Sequence, residues 1–103
     1  MRIRHFLQLA DFTRGDVEHL FERSRVIKDL FKRYRPYHPL ADRTLVMIFE
    51  KQSTRTRLSF EAGIAQLGGA PLVVDAAASQ LGRGESIGDT ARVMSRYVAA
   101  IVW

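Results

Sequence analysis

The stretch that decides the fold is RTLVMIFEKQSTRTRLSFEAGIAQL, residues 43–67. Residues 43–50 contain a continuous apolar run of the length expected for a β-strand that is covered on both faces. Across residues 54–67 the apolar side chains recur at helical spacing, and Gly68 and Gly69 then end the helix. The chain therefore passes almost directly from a buried strand into a helix.

An amphipathic helix is predicted upstream of this unit, over residues 13–33. Its apolar side chains repeat with a period of about 3.6 residues, so one stripe of the helix is expected to be buried. Thr13 and Asp16 form a capping box at its start. Two prolines then make residues 36–42 a turn-rich connection. The apolar stripe consists of Val17, Leu20, Ile27 and Phe31.

Two further strands and a third helix are predicted downstream. Residues 70–75 and 99–103 are apolar and typical of strands. Between them lie a loop and a helix that is capped by Ser86 with Asp89 and whose apolar stripe extends to Val98. The order helix, strand, helix, strand, helix, strand predicts an α/β fold, with a doubly wound parallel sheet and helices on both faces.

Length and composition bound the class of protein. A chain of 103 residues with 47% hydrophobic residues is expected to form one domain. The chain has no cysteine, so it cannot form a disulfide, a thiolate metal site or a cysteine nucleophile. It also contains no run of about 20 apolar residues and no secretory signal, so we expect a soluble, cytoplasmic protein.

The formal net charge of +5 leaves two interpretations. Much of the excess lies in residues 23–35, where basic side chains recur at helical spacing with carboxylates nearby, as on a solvated helix face. The alternative is a basic nucleic-acid-binding module, for which the aromatic interleaving is weak. The three histidines are scattered, so no metal is assigned.

The candidate site is the start of the helix at Ser53. A helix N-terminus offers free backbone N–H groups and a positive dipole, and both favour an anion. The side chains of residues 54–57 add two hydroxyls and two guanidiniums, a set suited to a phosphate. The turn lacks the glycine run of a nucleotide-binding loop. The alternative interpretation is that Ser53 only caps the helix and the arginines are surface residues.

A family resemblance extends this interpretation. The strings STRTRLSFE, QLGG, LGRGES, DTARV and SRY, all within residues 43–103, resemble the signature of the carbamoyltransferases. The resemblance implies that the STRT turn holds the phosphate of carbamoyl phosphate and that Gln80 makes a further contact, from a loop that reaches the neighbouring subunit of a trimer. It also implies that Arg55 stabilises the leaving phosphate as a catalytic residue. The implied carbamoyl-phosphate-binding residues are Ser53, Thr54, Arg55, Thr56 and Gln80.

The residues that flank the turn are more similar to the ornithine branch of this family than to the aspartate branch. The turn is entered through FEK, which places Lys51 where aspartate enzymes have Glu, whereas Gln52 departs from the Pro usual in both. The resemblance implies transfer of the carbamoyl group to the ornithine side-chain amine, giving citrulline and phosphate without a cofactor. Aspartate carbamoylation or a non-catalytic paralogue are the alternatives.

The resemblance also carries expectations about the extent of the chain. Residues 1–103 are expected to be the N-terminal part of the carbamoyl-phosphate-binding domain. The ornithine-binding domain would then be absent, and the segment alone would be inactive. A homotrimer, or a multiple of trimers, that takes part in arginine biosynthesis is implied. From the residues themselves we expect Arg57 to pair with Glu61, and Tyr97 and Trp103 to lie in the core.

Overall fold

The computed structural model describes residues 5–50, 53–75 and 86–103. The chain divides into two units, Met1–Tyr37 and His38–Trp103. The first unit contains a 3-10 turn, Leu9–Asp11, and helix α1, Arg14–Lys32. The second contains, in chain order, β1 (Thr44–Phe49), α2 (Thr54–Gln66), β2 (Ala70–Asp75), α3 (Ile87–Met94) and β3 (Ala100–Val102). The predicted alternation of helices and strands is confirmed.

Helix α1 begins with the predicted capping box. The Oγ1 of Thr13 accepts from the backbone N–H of Asp16 at 3.1 Å, and Oδ2 of Asp16 accepts from the N–H of Thr13 at 3.0 Å. The predicted stripe is only half-buried: Val17, Leu20 and Ile27 are partly exposed, Phe31 is 51% exposed, and no residue of α1 is fully buried. Periodicity determines which side chains share a helix face, but not how completely that face is covered.

Ion pairs within about one turn join basic and acidic side chains along α1. The pairs are Arg14 with Glu18, Arg25 with Glu22, and Arg33 with Asp29. The hydrogen bond from Arg25 lowers the pKa of the Glu22 carboxyl. Exposed pairs of this kind add little to stability. They do neutralise part of the positive charge of this segment, as on a solvated helix face.

The sheet of the second unit is parallel and has the strand order β2-β1-β3. The chain runs from β1 to β2 and then back past β1 to β3. With right-handed crossovers, α2 and α3 cover opposite faces, as in a doubly wound sheet. The predicted α/β fold with a parallel sheet is therefore confirmed. The buried hydrophobic side chains of the described residues are Val46, Met47 and Ile48 of β1 and Ile64 of α2.

Helix α3 begins as predicted but ends early. The Oγ of Ser86 accepts from the N–H of Asp89 at 3.0 Å, which confirms the cap. The helix ends at Met94, so Val98 lies outside it. Pairing with β1 explains the early end, because the N–H of Ala99 already donates to a carbonyl of β1 at 2.8 Å. The prediction that Tyr97 is a core residue is wrong, since Tyr97 lies in the turn between α3 and β3 and is 79% exposed.

A glycine is required where α2 turns into β2. Gly68 has a φ of 90°, and a Cβ there would lie 2.8 Å from Cβ of His38. We expect Gly68→Ala to lower the free energy of unfolding by about 2 kcal/mol, because it adds backbone strain to a steric clash. Urea-induced unfolding of the protein measures this change.

Gly63, inside α2, is the matched control. Its added Cβ would meet nothing within 4 Å. Gly63→Ala is therefore expected to raise the free energy of unfolding by about 0.5–1 kcal/mol through helix propensity alone. Equal stability of the two variants would contradict the assigned role of Gly68.

Candidate functional site

A pocket of about 490 Å3 lies at the carboxyl ends of β1 and β3. Strand β1 lies at the centre of the sheet, with β2 on one side and β3 on the other. The direction of strand order therefore reverses at β1. In open parallel sheets, ligands bind at this reversal of strand order. Three groups of residues line the pocket. They are Ile48, Phe49 and Glu50 at the carboxyl end of β1; Ser53, Thr56 and Phe60 at the start of α2; and Val102 and Trp103 at the carboxyl end of β3.

Ser53 occupies the N-cap position of α2, as predicted, but its side chain makes no capping hydrogen bond. Its carbonyl accepts from the N–H of Arg57 at 2.8 Å, which starts the helix. Ser53 thus lines the pocket without capping the helix through its side chain. The first turn of α2 has backbone N–H groups without partners inside the helix, and these can donate hydrogen bonds to an anion. The alternative that Ser53 serves only as a cap loses its support.

The other predicted residues of the turn lie in the exposed first turn of α2. Thr56 lines the pocket together with Ser53. Thr54 and Arg55 adjoin them in the helix but are not among the lining residues within the described part of the chain. Gln80 lies outside the described residues, as does the loop around it. The structure therefore brings two of the five predicted residues into one pocket and places two more beside them.

The two arginines of the turn differ in their partners. Nε of Arg57 lies 2.9 Å from Oε1 of Glu61, one turn further along α2, which confirms the predicted ion pair. Arg55 has no ion pair with any residue that the structure describes. Its positive charge remains available to an anion at the helix start.

Two lining residues, Glu50 and Trp103, were not predicted as part of the site. The indole Nε1 of Trp103 donates to Oε1 of Glu50 at 3.2 Å, across the ends of the neighbouring strands β1 and β3. Trp103 is 48% exposed, so its prediction as a core residue is wrong. Each is the last residue of a predicted strand, and that position at the carboxyl end could have marked them as candidates.

No three histidine or acidic side chains among residues 5–50, 53–75 and 86–103 come together as potential metal ligands. None of the described helices is long and apolar enough to cross a membrane.

Known proteins match this chain along nearly its whole length. The family model for "Aspartate/ornithine carbamoyltransferase, carbamoyl-P binding domain" matches residues 4–103. The ornithine carbamoyltransferase of Aromatoleum aromaticum is 67% identical over 93 residues, which are 90% of this chain and 30% of that protein.

Solved structures agree with the sequence matches. The crystal structure of ornithine carbamoyltransferase from Burkholderia thailandensis has a TM-score of 0.87 at 57% identity, covering 96% of this chain and 34% of that one. The catalytic subunit of aspartate transcarbamoylase from M. jannaschii has a TM-score of 0.85 at 32% identity, covering 96% and 33%. The fold is thus similar to both branches, and the sequence is more similar to the ornithine branch.

The chain spans about a third of the length of the relatives it matches. The resemblance predicted from the STRTRLSFE string is confirmed by the family model and by these relatives. The chain belongs to the aspartate/ornithine carbamoyltransferase family, and residues 4–103 match its carbamoyl-phosphate-binding domain.

Proposed function

We propose that this chain supplies the carbamoyl-phosphate pocket of an ornithine carbamoyltransferase, which forms citrulline and phosphate. The observation that carries the proposal is the pocket at the ends of β1 and β3, where Ser53 and Thr56 meet a helix N-terminus without a side-chain cap. The identity to proteins named ornithine carbamoyltransferase supports the choice of amine substrate.

The phosphate group would bind at the first turn of α2. Phosphate oxygens accept hydrogen bonds, and the turn offers two kinds of donor. They are its backbone N–H groups and the hydroxyls of Ser53, Thr54 and Thr56. Arg55 follows in the same turn, and it has no ion pair among the described residues. Its guanidinium can therefore approach the phosphate oxygens. Gln80 is proposed as a further contact on the resemblance alone.

Catalysis would come from positioning and from charge stabilisation. The ornithine amine attacks the carbonyl carbon of carbamoyl phosphate, and the bond from that carbon to the phosphate oxygen breaks. The phosphate leaves with the bonding electrons, and the amine nitrogen loses a proton, which the leaving phosphate can take up. Arg55 and the N-terminus of α2 stabilise the negative charge that grows on the leaving phosphate. No covalent intermediate with the protein and no cofactor is required.

Further parts of the proposal rest on the family resemblance. They are a homotrimer or a multiple of trimers, a role in arginine biosynthesis, a cytoplasmic location, and the assignment of residues 1–103 to the N-terminal part of the carbamoyl-phosphate-binding domain. Nucleic acid and membrane are not proposed as partners. The ion pairs along α1 give the basic-module alternative less support, because they join Arg14, Arg25 and the helix-terminal Arg33 to carboxylates.

The test is an assay of the native protein with carbamoyl phosphate and either ornithine or aspartate. We expect citrulline with ornithine and no carbamoylated product with aspartate. Product with aspartate alone would assign the protein to the other branch of the family. No product with either amine would contradict the enzymatic proposal and leave a phosphate-binding domain.

A further inference from the structure

We propose that Trp103 is a positioning residue that holds the Glu50 carboxylate at its side of the pocket, away from the bound phosphate. This inference rests on the proposed function, because it concerns the same pocket. It assigns a role to two residues that the phosphate-binding turn does not include. Their hydrogen bond joins residues that are far apart in the sequence, at the ends of neighbouring parallel strands.

The charge of Glu50 makes its position important. Glu50 is the one charged residue among the lining residues that the structure describes, and its charge is negative. The proposed ligand is also an anion, so a carboxylate free to move within the pocket would oppose binding. Glu50 has no ion pair within the described part of the chain that would neutralise it.

The indole of Trp103 suits the task of restraining this carboxylate. Its Nε1 is a donor only, and its distance of 3.2 Å from Oε1 of Glu50 is within hydrogen-bonding range. The rigid ring follows directly after β3, so the parallel pairing of β3 with β1 determines where the donor lies. The carboxylate is therefore held beside β3, whereas Ser53 and Thr56 belong to the start of α2.

Two explanations of the bond make different predictions. If the bond only joins two strand ends, its loss raises KM for carbamoyl phosphate whether or not Glu50 is charged. If the bond restrains a charge, neutralising Glu50 prevents that rise in KM. A double-mutant cycle separates these cases.

The experiment measures KM for carbamoyl phosphate and kcat in the full protein. Trp103→Phe keeps the ring but removes the donor, and it is expected to raise KM about fivefold through the freed carboxylate while kcat changes by less than about twofold. Glu50→Gln keeps an acceptor oxygen without the charge, and its KM is expected to be no higher than that of the wild type. The double variant is expected to return KM to the wild-type value.

Tyr97→Phe is the control, since Tyr97 is 79% exposed and is not a lining residue of the pocket. Its KM should equal that of the wild type. A double variant as impaired as Trp103→Phe, or an unchanged KM in Trp103→Phe, would overturn the inference while wild-type turnover upholds the proposed function. If the wild type forms no citrulline, the same variants are compared by calorimetry with inorganic phosphate. A fivefold weaker affinity for phosphate in Trp103→Phe, restored in the double variant, would then support the inference separately. Absence of either change would overturn it.

Discussion

Replacing Arg55 by alanine is expected to lower kcat for citrulline formation about 100- to 1,000-fold. The guanidinium lies in the first turn of α2, next to the lining residues Ser53 and Thr56. It has no ion pair within the described part of the chain, so its charge is available to the phosphate oxygens. The loss falls on kcat because the phosphate gains charge as it leaves. Steady-state kinetics at saturating carbamoyl phosphate and ornithine measure it.

Arg57→Ala is the matched control. This arginine lies two residues further along the same helix, but it pairs with Glu61 at 2.9 Å. Its loss is expected to cost about 0.5 kcal/mol of stability, as for a partly exposed pair on a helix, and to leave kcat within a few-fold. An Arg55→Ala variant with kcat within a few-fold of the wild type would show that Arg55 has no catalytic role.

Replacing Met47 by alanine is expected to lower the free energy of unfolding by about 3 kcal/mol. Met47 is 0% exposed and lies in the central strand, between β2 and β3. Removing its side chain loses buried apolar contacts and leaves a cavity. Against a typical total stability of about 5–15 kcal/mol, this change is large. Urea-induced unfolding should show a lower midpoint with an unchanged slope.

Leu72→Ala tests whether burial in the central strand is the cause. Leu72 pairs with Val46 from the edge strand β2, and it is 50% exposed. The expected loss of stability is below about 1 kcal/mol, because half of its side chain already contacts water. Equal losses for Met47→Ala and Leu72→Ala would contradict the assignment of the core to β1.

Much of the fold was predictable because its signals are local. The capping box of Thr13 and Asp16 and the cap at Ser86 both join groups three residues apart, and both are formed as predicted. The apolar run of β1 predicted a strand covered on both faces, and its middle residues are buried. Such features depend on residues that are close together in the sequence, so they can be predicted from the sequence alone.

The errors concern tertiary neighbours. The end of α3 and the exposure of Tyr97 follow from where β3 pairs with β1, and the apolar period of α3 continued past that point. The stripe of α1 was predicted from the same kind of period, yet no residue of that helix is buried. A hydrophobic period identifies a face, and only the packed chain determines how much of that face is covered.

For the site, the sequence by itself determined the position of the proposed anion-binding turn at residues 53–56, because a strand, a short turn and a helix start are consecutive in the chain. The tertiary structure decided what shares the pocket with that turn. Glu50 and Trp103 meet at 3.2 Å because the parallel register of β1 and β3 brings two strand ends together. Strand register depends on non-local pairing and packing, so no local pattern in the sequence could state this contact.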